Sequence, residues 1–212
     1  MSPHRPTLLA IVAQPGEEAS APGGTLTVSG WRGARTGLVT LQGREAPTLR
    51  EAASRVATLL GTENHFHWNA AEPQVAAERL ARTLRALQPT VVLTNENARA
   101  SAELAWHLAA DPAVKMAGLA LFDPARARLW GATAEGGEAR IDVSAARPLL
   151  RALRFYYNPA APSETEIVTP FEHFTLLAGA ALPESSVTDL FAGLSPSPFK
   201  PPISFLAEDP FQ

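Results

Sequence analysis

Short apolar runs alternate along this chain with longer stretches in which apolar residues recur every three or four positions. The runs at Thr7–Ala13, Thr36–Leu41, His65–Trp68, Thr90–Leu93 and Met116–Phe122 have the length of buried strands. Between them, Leu49–Leu60 brings Val56, Leu59 and Leu60 to one side and stops at Gly61, a helix-ending residue. Gln74–Leu87 repeats Val75, Leu80, Leu84 and Leu87 and is closed by Pro89, and the alanine-rich Ala98–Ala110 ends at Asp111-Pro112. Strand and helix in this alternation predict βαβ units: a doubly wound, mostly parallel α/β sheet with helices on both faces.

After residue 125 the rhythm loosens. Arg128–Ala132, Ala139–Val143 and Glu166–Thr169 read as short strands, with a helix at Ala145–Arg154, so the C-terminal half is expected to be irregular. From residue 195 the chain turns to Ser-Pro-Ser-Pro and Pro-Pro with Phe199, Phe205 and Phe211 interspersed, which disfavours helix or central strand. Residues 1–194 are read as one domain and 195–212 as a tail, either extended over the domain or docking through its phenylalanines on another subunit or partner.

Composition narrows the function classes. With 46% hydrophobic and 18% charged residues and a net charge of -3, the chain has the make-up of a soluble protein and no electrostatic footprint for nucleic acid or an anionic membrane. It has no cysteine, which excludes disulfides, thiolate chemistry and cysteine zinc sites and fits a cytoplasmic protein. The only apolar stretch near the start, residues 7–13, is too short to span a membrane and leads into no small-residue cleavage site. Ser20, Ser29, Ser101 and Ser144 lack a nucleophile elbow, and Gly23-Gly24 is not a phosphate loop.

The turn after the first strand reads Gln14-Pro15-Gly16-Glu17-Glu18, followed by four residues and Gly23-Gly24-Thr25-Leu26. It resembles the signature of the LmbE/PIG-L family of zinc-dependent de-N-acetylases, A-H-P-D-D-E followed by four residues and G-G-T-L. The resemblance continues in order through "GLVTLQG" (37–43), "LREAASRVATLLG" (49–61), "LQPTVVLT" (87–94), "RIDVSAARPLLRALRFYYNP" (140–159) and Glu172-His173-Phe174, covering residues 7–175. It implies an LmbE-like doubly wound sheet with its site at the carboxyl ends of the parallel strands. It also implies, in active members, a zinc ion held by a histidine and the second aspartate of the turn plus a histidine of a later H-P-x-H, with the first aspartate as general base.

Carried over position by position, the zinc histidine is Gln14, the base Gly16 and the zinc aspartate Glu17; Glu18 keeps its family identity. The H-P-x-H falls on Asn97-Ala98-Arg99-Ala100, and a late H-x-S-Q falls on Tyr156-Tyr157-Asn158-Pro159. Catalytic zinc needs about three protein ligands and an open position, and alanine supplies no ligand. The resemblance therefore implies a non-catalytic homologue that binds a small polar or sugar-like ligand or acts through protein contacts, with no cofactor.

Two alternatives stand beside it. One is a metal-dependent deacetylase or amidohydrolase with a rewired zinc site drawn from Glu17, Glu18, His65, His67 and His173. The other is an assembly protein acting through its tail, within a homo-oligomer. The pocket candidates are Gln14, Glu17, Glu18, His65, His67, Asn95, Asn97, Tyr156 and His173. Their plainer readings are helix N-terminal carboxylates for Glu17 and Glu18, packing or exposure for His65 and His67, and strand alternation for Tyr156 and Tyr157. His107 is read as a surface partner of Glu103.

Overall fold

Leu8, Ala10 and Val12 of the first strand pack to one side and Leu9 and Ile11 to the other, all fully buried. A strand apolar on both faces needs a layer on each side, and the rest of the chain supplies both. The computed structural model describes residues 6–42, 47–70, 72–157, 169–183 and 187–194. In chain order its elements are β1 (Thr7–Val12), α1 (Gly23–Trp31), β2 (Arg35–Thr40), α2 (Pro47–Leu59), β3 (Asn64–His67) and α3 (Pro73–Leu87). They continue with β4 (Val91–Thr94), α4 (Arg99–Ala110), β5 (Arg128–Thr133), β6 (Ala139–Asp142), α5 (Arg147–Tyr157) and β7 (Phe171–Gly179).

The strands form one sheet in the order β3-β2-β1-β4-β5-β7-β6. β1 to β5 run parallel, and β7 lies antiparallel between β5 and β6. Helices α3 and α4 cover the Leu9/Ile11 face, whereas α1, α2 and α5 cover the face of Leu8, Ala10 and Val12. The strand order reverses between β1 and β4, so their carboxyl-end loops diverge and leave the crevice where such sheets hold ligands.

The doubly wound reading holds, and its departures have local causes. Met116–Phe122 is not a strand: Gly118 takes a positive φ of 74°, and Phe122 turns inward to meet Trp106 edge-on at 4.8 Å. The place beside β4 goes to β5, already anticipated at Arg128–Ala132. The strand expected at Glu166–Thr169 falls mostly outside the described residues; the pairing strand is β7, which starts at Phe171. Helix α5 runs on through Tyr157, so Tyr156 and Tyr157 are helical rather than alternating along a strand. The tail and its proposed docking lie outside the described residues, as do Asn158 and Pro159.

Two buried arginines hold loop segments in place by donating to backbone carbonyls. Arg128, at the start of β5, donates to the carbonyls of Ala180, Ala181, Leu190 and Ala192. Arg85 of α3 donates to those of Ala109, Asp111 and Val114, satisfying the carboxyl end of α4 and the turn beyond it. Among the described residues no helix is long and apolar enough to cross a membrane.

Candidate functional site

The turn after β1 closes as a single 3₁₀ turn, Glu17–Ala19, preceded by Gly16 at φ 101°. That φ lies in the left-handed region, which glycine enters without a Cβ penalty. The turn directs Glu17 toward the crevice. Its Oε2 accepts from the backbone N–H groups of Ala13 (2.8 Å) and Gln14 (3.0 Å) and from Asn95 Nδ2 (2.7 Å), and its Oε1 accepts from Asn97 Nδ2 (2.6 Å).

Asn95 follows β4 and is held in turn: its Oδ1 accepts from the Ala98 N–H, which fixes which end of the amide faces Glu17. The carboxylate thus ties the loop after β1 to the loop after β4 across the crevice. The exposed Gln14 contributes its backbone N–H to this network. Ala100 lies exposed in the first turn of α4.

Glu18 faces the opposite way, into the core. It is 1% exposed, with Oε2 accepting from the Gly16 N–H (2.8 Å) and Oε1 from the Tyr157 hydroxyl (2.5 Å). Burial pushes the Glu18 carboxyl above its ordinary range, and burial beside Glu18 pushes the Tyr157 phenol up. The Tyr157 ring covers Gly16, where an added Cβ would lie 3.5 Å from Tyr157 Cγ.

Neither glutamate serves as the N-terminal carboxylate of α1. That role falls to Glu172 of β7, whose two oxygens accept from the Gly24 (2.8 Å) and Thr25 (2.9 Å) N–H groups. A side chain at Gly24 would meet Glu172 Oε1 at 2.7 Å, so the close approach of this carboxylate requires the glycine. Burial raises the Glu172 pKa.

The histidines do not gather around the turn. His65 and His67 share one face of the edge strand β3, with ring centroids 6.1 Å apart. Burial and the neighbouring His67 lower the His65 pKa to about 4, so its ring is neutral at pH 7, and its buried Nε2 has no hydrogen-bond partner. His173 lies on β7, with Nδ1 3.2 Å from the Gly136 carbonyl. β3 and β7 are five strand spacings apart, roughly 24 Å, too far for one ion to be shared.

The combination of Glu17, His65 or His67 and His173 is therefore not assembled. Among the described residues no three histidine, aspartate or glutamate side chains converge as a metal site would require. Tyr156 is half-exposed and meets Tyr157 edge-on. Glu103 is engaged by Arg99 one turn earlier (2.9 Å), which corrects its expected pairing with His107.

Sequence reading missed a second feature of the carboxyl edge. Ser20, Ala21, Thr133, Arg154, Phe171 and His173 border a cleft of about 230 Å³ between the first turn, α5 and the start of β7. Arg154 donates from Nε to the Ala19 carbonyl (3.0 Å) and from Nη2 to Ser20 Oγ (3.3 Å). One signal was available: Arg154 sits four residues after Leu150 and beside Leu153, at the border of the apolar stripe of α5.

No protein-family model matches the sequence, and a comparison with curated proteins finds no match. Solved structures do match. The 4-carboxy-2-hydroxymuconate hydratase GalB from Pseudomonas putida is 15% identical, over 84% of this chain and 99% of its own, with a TM-score of 0.63. The conserved protein TT1542 from Thermus thermophilus is 18% identical, over 82% and 96%, with a TM-score of 0.66. N,N'-diacetylchitobiose deacetylase from Pyrococcus horikoshii is 15% identical, over 82% and 84%, with a TM-score of 0.60. Likeness at this level speaks to architecture, and with the seven-stranded, mostly parallel sheet it gives the conclusion that the chain has the LmbE-like fold.

Proposed function

We propose that this protein is a non-catalytic member of the LmbE-like fold that acts by binding a small polar ligand at the carboxyl edge of its sheet. The observation that carries the reading is the environment of Glu17. A zinc-binding carboxylate must direct a lone pair at the ion, and its neighbours must supply lone pairs of their own. Here both oxygens of Glu17 face N–H donors, four in all, and two come from side chains at the place where a metal-holding fold needs acceptors turned inward. An amide nitrogen is no zinc ligand, so this donor set does not fit the ion.

The place of the general base supports the same reading. Gly16 carries no proton acceptor, its φ disfavours any side chain, and the Tyr157 ring covers it. Loss of a general base alone removes a rate factor of about 10²–10⁴. The neighbours of like fold include a deacetylase and a hydratase, and a fold that carries two chemistries does not carry a reaction by itself.

The test is hydrolysis of an N-acetylglucosamine conjugate by the full chain with zinc supplied, read beside the Glu17→Ala variant. Acetate release at the buffer rate by both proteins is the expected result. Release well above buffer that is lost in Glu17→Ala would overturn the proposal.

A further inference from the structure

The last turns of α5 divide their side chains between two sides. Leu150, Leu153 and Tyr157 pack toward the core, whereas Phe155 and Tyr156 stand 56% and 48% exposed. Tyr156 interacts with Arg55 of α2, and Leu59, one turn beyond Arg55 on the same side of that helix, is 58% exposed. Phe155, Tyr156 and Leu59 thus belong to one apolar, aromatic-rich surface spanning α2 and α5, the kind of patch that marks a docking site. Arg151, one turn before Phe155, is exposed beside it and forms no ion pair among the described residues.

Residues 195–212 lie outside the described residues, and their sequence suits this surface. They follow Leu194, which packs on the same layer as α5. At roughly 3.1 Å per residue, Phe205 and Phe211 can reach about 34 Å and 53 Å from Leu194, well beyond the ~20 Å height of a six-residue strand. Phe199, Phe205 and Phe211 recur every six residues, so a backbone with a repeat of two or three turns all of them to one side. Pro196, Pro198, Pro201, Pro202 and Pro210 narrow the conformations of the undocked chain and so reduce the entropy lost on docking. Glu208 and Asp209, between Phe205 and Phe211, carry the charge that complements Arg151.

We propose that residues 195–212 dock on this patch of their own chain, with Phe205 and Phe211 seated on Phe155, Tyr156 and Leu59 and an acidic side chain set against Arg151. Aromatic surfaces are the common seat of proline-rich segments. The tether makes the docking intramolecular, with an effective concentration on the order of millimolar, so at micromolar protein the chain's own tail prevails over that of a second copy. The inner side of α5 holds the turn after β1, through Arg154 on the Ala19 carbonyl and Tyr157 on Glu18. A docked tail braces that helix from outside. The proposal does not depend on the binding role of the Glu17 crevice, and a failure here leaves that reading standing.

The chain has no cysteine, so an introduced pair reports contact without interference. The full chain carrying Ala152→Cys, exposed on α5, and Ala207→Cys, in the tail, is oxidised mildly at micromolar concentration. The reference pair joins Ala207→Cys to Glu78→Cys, exposed on α3 over the opposite face of the sheet. Expected is a disulfide within one chain that closes roughly tenfold faster or more from Ala152→Cys than from Glu78→Cys. Adding Phe205→Ser and Phe211→Ser is expected to remove that advantage. Both changes lie in the tail and leave the packing of the described residues intact, so the comparison does not hang on folding. Equal closure rates for the two pairs would overturn the proposal. So would an advantage that survives the two serines, or a disulfide that joins two chains, which would seat the tail on a second copy.

Discussion

Two glutamates adjacent in sequence, Glu17 and Glu18, end in opposite surroundings, and a third, Glu172, takes the role at α1 that either might have filled. Glu18 and Glu172 are both buried, and burial raises both pKa values. Folding then favours their protonated forms. The stability each contributes is fully present below the ordinary carboxylate range and declines as pH rises through the elevated folded value. Their partners separate them. Glu18 accepts one N–H and one hydroxyl, and a glutamine can present its oxygen to the Gly16 N–H and its amide N–H to the Tyr157 oxygen.

Glu172 accepts two backbone N–H groups, so a glutamine there must set a donor against a donor. Glu18→Gln is therefore expected to hold or raise the melting temperature near neutral pH, with its advantage growing from pH 5 to pH 8. Glu172→Gln is expected to lower stability by about 1–3 kcal/mol. Thermal melts of both variants across that pH range check the pair, and equal losses in both would contradict the contacts described. None of this was open to inspection of the turn alone, since Asn95, Asn97 and Tyr157 lie 78, 80 and 139 residues from the glutamates they meet.

Elements differ in how far their sequence announces them. β1, β2 and β4 are apolar runs buried on both faces, and the pattern placed each within a residue or two. Met116–Phe122 carries the same signal but turns Phe122 onto Trp106 of α4 and leaves Leu121 exposed instead of joining a ladder, and periodicity cannot distinguish these uses. β7 inserts between β5 and β6 from the far end of the chain, a pairing that only the folded sheet decides.

β3 is an edge strand with a cost attached, because His65 must stay neutral inside it. Its pKa is lowered to about 4, so between pH 6.5 and 4 the unfolded chain binds more protons than the folded one. Stability present above that window is lost as pH falls through it. His65→Leu is expected to flatten this part of the profile of melting temperature against pH. A profile equally steep in the variant would show that His65 does not drive the acid loss.

At the scale of the whole molecule, the scaffold was legible and the chemistry only partly so. Alternation along the chain and the ordered run of family-like segments were enough to anticipate the sheet, and solved structures of low identity share its architecture. Of the pocket candidates read from the sequence, Glu17, Asn95 and Asn97 meet through hydrogen bonds across the crevice. The sequence did not display that meeting, because a carboxylate bridging two divergent loops exists only once β1 and β4 lie side by side. Nor did it show Arg154, which reaches the cleft through the packing of α5 on the first turn.

The account as a whole depends on Glu17 serving as a tie between loops rather than as a metal ligand. The most direct measurement is the zinc-to-protein ratio of the full chain after chelation, re-exposure to zinc and removal of excess metal. A ratio far below one, with the melting temperature unmoved by zinc, is the expected result. One zinc per chain that raises the melting temperature and disappears in Glu17→Ala would contradict it.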